Sequence, residues 1–157
     1  MPASPAPEQD PRRLASGLAV ALPALHRALD RRLAQDFPHA KLPEGQLALL
    51  RLVAERDGVT VREAADELLM KPNNVSALVT QLVGRELVER RQDPDDKRVA
   101  HLHTTAEARR RLAAVGDLLQ GYVSEALDAL TDGDRAAIGS ALGALRGLAP
   151  HIHPAAH

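Results

Sequence analysis

Residues 68–105 read LLMKPNNVSALVTQLVGRELVERRQDPDDKRVAHLHTT, and this stretch decides the fold. Pro72 suits the first turn of a helix, where its missing N–H is no loss. From there Val75, Leu78, Val79, Leu82 and Val83 recur as one apolar stripe, which predicts a helix over 72–85. The other face carries Asn73, Ala77, Thr80 and Gly84, flanked by Asn74, Ser76 and Gln81, with no acid before Glu86. Such a surface can approach a major-groove floor without repelling phosphates. Asn and Gln pair with adenine edges, Ser and Thr with several bases, and Ala with the thymine methyl. An ordinary solvated helix face would look the same in isolation.

The preceding residues favour the groove reading. Thr60-Val61-Arg62-Glu63 is a Thr-x-x-Glu capping box, opening a helix through Leu69 with Ala64, Ala65, Leu68 and Leu69 available for packing. Met70-Lys71 then leads straight into Pro72, so two helices joined this tightly form a helix-turn-helix. Lys71 falls at the N-cap, where Ser, Thr or Asp would be preferred. Its ammonium can meet a phosphate there, or the helix simply tolerates it. After Arg85 the pattern turns to strand at 87–91 and again at 99–103. Asp93-Pro94-Asp95-Asp96 between them is turn chemistry, followed by Lys97 and Arg98. Asp96, two residues before Arg98, can fix the guanidinium for a narrow, electronegative minor groove. The alternative is a surface turn with an ion pair of no energetic consequence.

At these residues the chain resembles the multiple-antibiotic-resistance regulator (MarR) family. The likeness rests on VSALVTQLVGRELVER, DPDDKR and HLHTTAEA, is strongest over 42–113, and extends over nearly the whole chain. It implies a mainly α fold with a small β-wing, a winged helix-turn-helix joined to a helical dimerisation region. It also implies a homodimeric transcription regulator whose hold on double-stranded DNA is lowered by a small, anionic or aromatic effector. The family's Asp-x-Arg wing motif maps onto Asp96 and Arg98, and its recognition helix onto 72–85. With no cysteine, the thiol-oxidising branch of the family is excluded. With no Trp, one Tyr (Tyr122) and one Phe (Phe37), the identity of an effector does not carry over. No residue set singles out a urate-responsive or metal-responsive branch.

The expected organisation is a tail at 1–10, a single MarR-like domain over 11–150 and a second tail at 151–157. Within the domain, 43–103 forms the winged helix-turn-helix, with its reading helix at 72–85 and wing at 87–103. The remaining sequence is helical. Leucines at 14, 18, 22, 25, 29 and 33 predict a helix over 11–35, with a local bend expected at Pro23. A second runs over 43–56, burying Leu47, Leu50 and Val53. Thr104 and Glu107 form another Thr-x-x-Glu box ahead of a long helix, and Thr131 opens a last one through 149. There Gly139, Gly143 and Gly147 recur every fourth residue, which suits close approach of another helix backbone or reflects compositional drift. These terminal helices carry more apolar stripe than one chain needs. They predict an intertwined homodimer built from 11–36 and 115–149, setting two reading helices about one DNA turn apart.

Bulk properties restrict the alternatives. A chain of 157 residues, 45% hydrophobic and 26% charged, suits one globular domain and lacks a run long enough to span a membrane. The beginning shows no signal-peptide pattern, so a cytoplasmic location is expected. Formal charge is −1, and within 71–98 the basic Lys71, Arg85, Arg90, Arg91, Lys97 and Arg98 face Glu86, Glu89, Asp93, Asp95 and Asp96. Placement rather than net charge must therefore carry DNA affinity, with Lys71, Arg85, Lys97 and Arg98 facing the duplex and salt weakening the complex. No nucleophile–base pair, Gly-rich phosphate loop or metal-ligand spacing argues for an enzyme or a cofactor. His151, His153 and His157 sit on a terminal tail, a poor frame for a metal. His101 and His103 share one strand face, solvated or near phosphate, where protonation would strengthen binding. His26, Arg27 and Arg51 are candidates to meet an anionic effector where the first, second and fifth helices meet, or are surface charges and interhelical bonds. A winged-helix module that binds protein instead of DNA is the competing reading.

Overall fold

The computed structural model describes residues 10–152. Both expected terminal tails, 1–10 and 151–157, fall almost entirely outside them, as do His153 and His157. The elements run α1 (Pro11–Asp36), α2 (Glu44–Glu55), β1 (Val59–Thr60), α3 (Val61–Glu67), α4 (Pro72–Gly84), β2 (Val88–Gln92), β3 (Ala100–Thr104), α5 (Ala106–Asp128) and α6 (Asp132–Leu148), closing on a 3-10 turn at Ala149–His151. Two compact units divide between Leu118 and Leu119.

The core lies in the first unit. Leu49 and Val53 from α2, Ala64 from α3, Val75, Val79 and Leu82 from α4, and Leu102 from β3 are fully buried together. In α2 the buried set is Leu49, Leu50, Leu52 and Val53, with Leu47 only half-buried against expectation. The stripe of α4 narrows similarly, because Val83 stays exposed.

Two strands were foreseen; the sheet has three, in the order β1-β3-β2. β2 and β3 pair antiparallel from Val88–Thr104 to Gln92–Ala100. β1 adds Val59 opposite Leu102 and Thr60 opposite His101. A turn with Gly58 at φ 82° precedes it, and the Gly58 amide donates to Leu102 O at 2.9 Å. This ladder ties the first helix of the helix-turn-helix to the wing. Thr60 then caps α3 in a complete box, its Oγ1 accepting from Glu63 N and its own amide donating to Glu63 Oε2 at 2.8 Å.

Both helices of the pair end in one way. At α3, Met70 N donates to Ala65 O and Leu69 N to Asp66 O, with Leu69 at φ 53°. At α4, Leu87 N donates to Leu82 O and Glu86 N to Val83 O, with Glu86 at φ 58°. Each is a Schellman stop, with a left-handed residue followed by an apolar one that turns inward. Leu87 is buried and Met70 packs against the core. Leu69, expected to pack inside α3, is instead the left-handed residue and 74% exposed.

The second Thr-x-x-Glu box does not form, and the cap falls one residue later. Thr104 is buried at the end of β3, and Thr105 caps α5, its Oγ1 accepting from Ala108 N at 3.1 Å and donating to Glu86 O at 2.7 Å. Glu107 pairs with Arg110 and Arg111 instead. In the second unit Thr131 caps α6 by accepting from Asp134 N, and Arg135 Nη1 donates to Leu127 O and Leu130 O across the turn. No side chain of α1 or α6 is buried. α1 runs on through Pro23.

Candidate nucleic-acid interface

The outer face of α4 is open. Asn73, Asn74, Ala77, Thr80, Gln81 and Arg85 are exposed and Ser76 half-exposed, with no carboxylate along the helix. Lys71 is the N-cap residue in extended backbone and makes no side-chain capping bond, and Arg85 is the C-cap. Two of these side chains are already engaged. Thr80 Oγ1 donates to Ser76 O at 3.0 Å and accepts from Arg90 Nη2 at 3.1 Å, a link from the helix to β2. Gln81 Oε1 accepts from Gln46 Nε2 at 2.8 Å. Arg90 and Gln46 escaped the sequence reading, since only the fold sets them beside α4.

The turn between β2 and β3 is built by carboxylates. Asp93 Oδ1 accepts from Asp95 N at 2.8 Å and Asp96 N at 3.0 Å, while Asp93 N and Val99 O close the loop at 2.9 Å. Asp96 Oδ1 accepts from both Arg98 N at 3.0 Å and Arg98 Nε at 3.3 Å. The guanidinium is thus gripped at one nitrogen and is otherwise 92% exposed, beside exposed Lys97. An arginine anchored near its root and free at its tip can reach a groove or a phosphate with less rotamer entropy to lose.

His101 and His103 are half-buried, and each has a partner within the chain. His101 Nδ1 lies 2.7 Å from Gly58 O and its Nε2 2.9 Å from Asp93 Oδ2. Both partners are acceptors, so the doubly protonated ring fits best. Bonding to Asp93, then to the Gly58 carbonyl, raises the His101 pKa. The same bond, helped by the Asp95 and Asp96 amides, lowers Asp93 to about 2. His103 meets Asp57 at 2.9 Å.

The three candidate effector contacts, His26, Arg27 and Arg51, are exposed. His26 lies 3.5 Å from Asp30, which also accepts from Lys41 Nζ at 2.7 Å. Lys41, more than His26 and Arg51, holds Asp30 below its usual pKa. A concavity of about 440 Å³ lies elsewhere, between the end of α1 and the first half of α5. Phe37, His39, Arg110, Arg111 and Leu118 line it, and Phe37 stacks edge-on to His39 at 5.2 Å. Among the described residues no group of three His, Asp or Glu is placed to hold a metal, and no helix is long and apolar enough to cross a membrane.

Residues 41–99, from the start of α2 to the wing turn, match the sequence model of the MarR family. Over these residues the chain is similar to the MarR family. A curated relative, an uncharacterized HTH-type transcriptional regulator YsmB from Bacillus subtilis, is 28% identical over 87 residues, spanning 55% of this chain and 60% of its own length. The fold of the chain recurs in RV1404 from Mycobacterium tuberculosis, at a TM-score of 0.78 and 19% identity over 94% of this chain and 99% of that one. It recurs too in Streptococcus pneumoniae FabT, solved in complex with DNA, at 0.69 and 18% identity over 92% and 100%.

Proposed function

We propose that the chain is a sequence-specific DNA-binding transcription regulator, acting as a homodimeric repressor on a near-palindromic operator. One observation carries the reading. An exposed, acid-free face of α4 lies in the same packed unit as a wing turn where Asp96 restrains an outward Arg98. The helix reads base edges in the major groove, while Arg98 enters the adjoining minor groove or grips its phosphates. Lys71, Arg85 and Lys97 add phosphate contacts, and Asn73, Asn74, Ser76, Ala77, Thr80 and Gln81 are the candidates at bases. FabT, of like fold, has been seen bound to DNA.

The dimer is supported by what α1 and α6 leave outside. Leu14, Leu22 and Leu25 of α1 and Ile138, Leu142, Leu145 and Leu148 of α6 are exposed. A Cβ added at Gly139, Gly143 or Gly147 would meet nothing within 4 Å among the described residues. A second copy would cover such faces and pair the reading helices. A small anionic or phenolic ligand would release the operator by favouring a dimer whose helices are misplaced for the groove. Phe37 with Arg110 and Arg111 offers such a molecule a ring and two cations, although Glu107 already holds both.

Selection of bound duplexes from a random pool at fixed salt tests the central claim. The expected product is an inverted repeat with half-site centres about 10 base pairs apart. A pool that stays random at low ionic strength removes the reading. The balanced charge of 71–98 favours a protein-binding module as the second reading, under which Arg98→Ala would leave DNA affinity unchanged.

A further inference from the structure

Gln46 is out of place in the core. It sits on α2 at 5% exposure beside Leu49 and Leu50, its Nε2 donating to Gln81 Oε1 at 2.8 Å. Its own Oε1 is buried and finds no partner among the described residues. A buried amide left half-satisfied is unfavourable, and an apolar residue of the same size would fill the site without that penalty. The bond Gln46 does make runs to the exposed face of the helix that reads DNA.

That bond decides what Gln81 can say to a base. A glutamine recognises adenine with both ends of its amide, Oε1 accepting from N6 and Nε2 donating to N7. Here Oε1 is drawn toward α2, so the outward end of the amide is Nε2, which only donates. We infer that Gln46 is a positioning residue that makes Gln81 a donor-only reader, matched to both guanine N7 and O6 or to thymine O4, whereas adenine offers it N7 alone. Thr80 is restricted in the opposite sense, its hydroxyl hydrogen being held by Ser76 O, so that it can only accept. The inference rests on the DNA-binding reading above and adds the base class to it.

The test uses the full chain and a random duplex pool selected at one salt concentration, comparing the parent with Gln81→Ala, Gln46→Met and Gln81→Glu. In the parent, one position of each half-site prefers guanine or thymine, and Gln81→Ala erases that preference. Gln46→Met frees the amide and raises adenine at that position about tenfold relative to the parent, with the rest of the site unchanged. Gln81→Glu leaves the core intact, keeps an acceptor for Gln46 and turns a carboxylate oxygen outward. It moves the preference to cytosine, whose N4 donates, and it serves should Gln46→Met fail to fold. Adenine already preferred by the parent at the Gln81 position, no position responding to Gln81→Ala, or a Gln46→Met profile superimposing on the parent's overturns the inference alone. A parent that selects no sequence overturns the functional reading, and this inference with it.

Discussion

In α4, Val75, Val79 and Leu82 have no exposed surface; in α6, Ile138, Leu142, Leu145 and Leu148 recur at similar spacing yet stay between 37% and 45% exposed. Both helices are amphipathic, so periodicity alone would have buried both. The difference is that α2, α3 and the sheet cover α4, whereas the α6 face stays exposed among the described residues. An apolar stripe states that a face will be covered without stating by what. In α4 the cover is intramolecular and the outer face is left for a ligand. In α6 the apolar face is the one that the proposed dimer would cover.

The largest effect expected from breaking this contrast is in the core. Leu82→Ala should lower stability by about 2–5 kcal/mol in denaturant titrations, the range for a fully buried leucine, and by the same amount at every protein concentration. Leu142→Asp should instead act through association: sedimentation should shift from dimer to monomer at micromolar protein, and the concentration dependence of the parent's Tm should vanish. A parent that already melts independently of concentration would break the comparison. Arg98→Ala should leave Tm unchanged and weaken binding to all duplexes by about tenfold, reducing the salt slope by about one.

Smaller effects probe the joints of the reader. Glu86→Gly should raise stability by about 1 kcal/mol, since Glu86 holds a left-handed conformation that glycine adopts freely. The smallest concerns pH. The raised His101 pKa means its contribution is complete below 6.5 and lost as pH rises through the elevated folded value. The lowered Asp93 contributes above 3.8 and is lost as pH falls through about 2. Amide exchange at Asp95 and Asp96 should therefore be slowest from about pH 4 to the raised imidazole range. Beyond the intrinsic base catalysis of exchange it should quicken at alkaline pH, and His101→Gln should abolish that increment.

How far the sequence could be read follows from the range of each interaction. The capping box at Thr60, Pro72 at N1 and the Asp96–Arg98 pair are all set within four residues and stand where expected, as does the α4 stripe except at Val83. β1 was missed because two residues cannot display a period; it exists only through Leu102 and His101, some forty positions away. Helix ends were misjudged where Leu69 and Glu86 take a conformation normally signalled by glycine. Thr104 and Thr105 offer competing caps, and the pairing of β3 with β2 awards one to the sheet and the other to the helix. Gln46 with Gln81, Arg90 with Thr80 and His101 with Gly58 are tertiary contacts that no local pattern announces.

The sheet's order carries one more implication. With β3 in the middle, the free margins are β1, only two residues long, and β2, where Glu89, Arg90 and Arg91 follow Val88. One margin is too brief and the other too charged to template a foreign strand, a common defence against amyloid-like growth. The dimer proposed above would thereby be steered away from the β-structure and left to the helices.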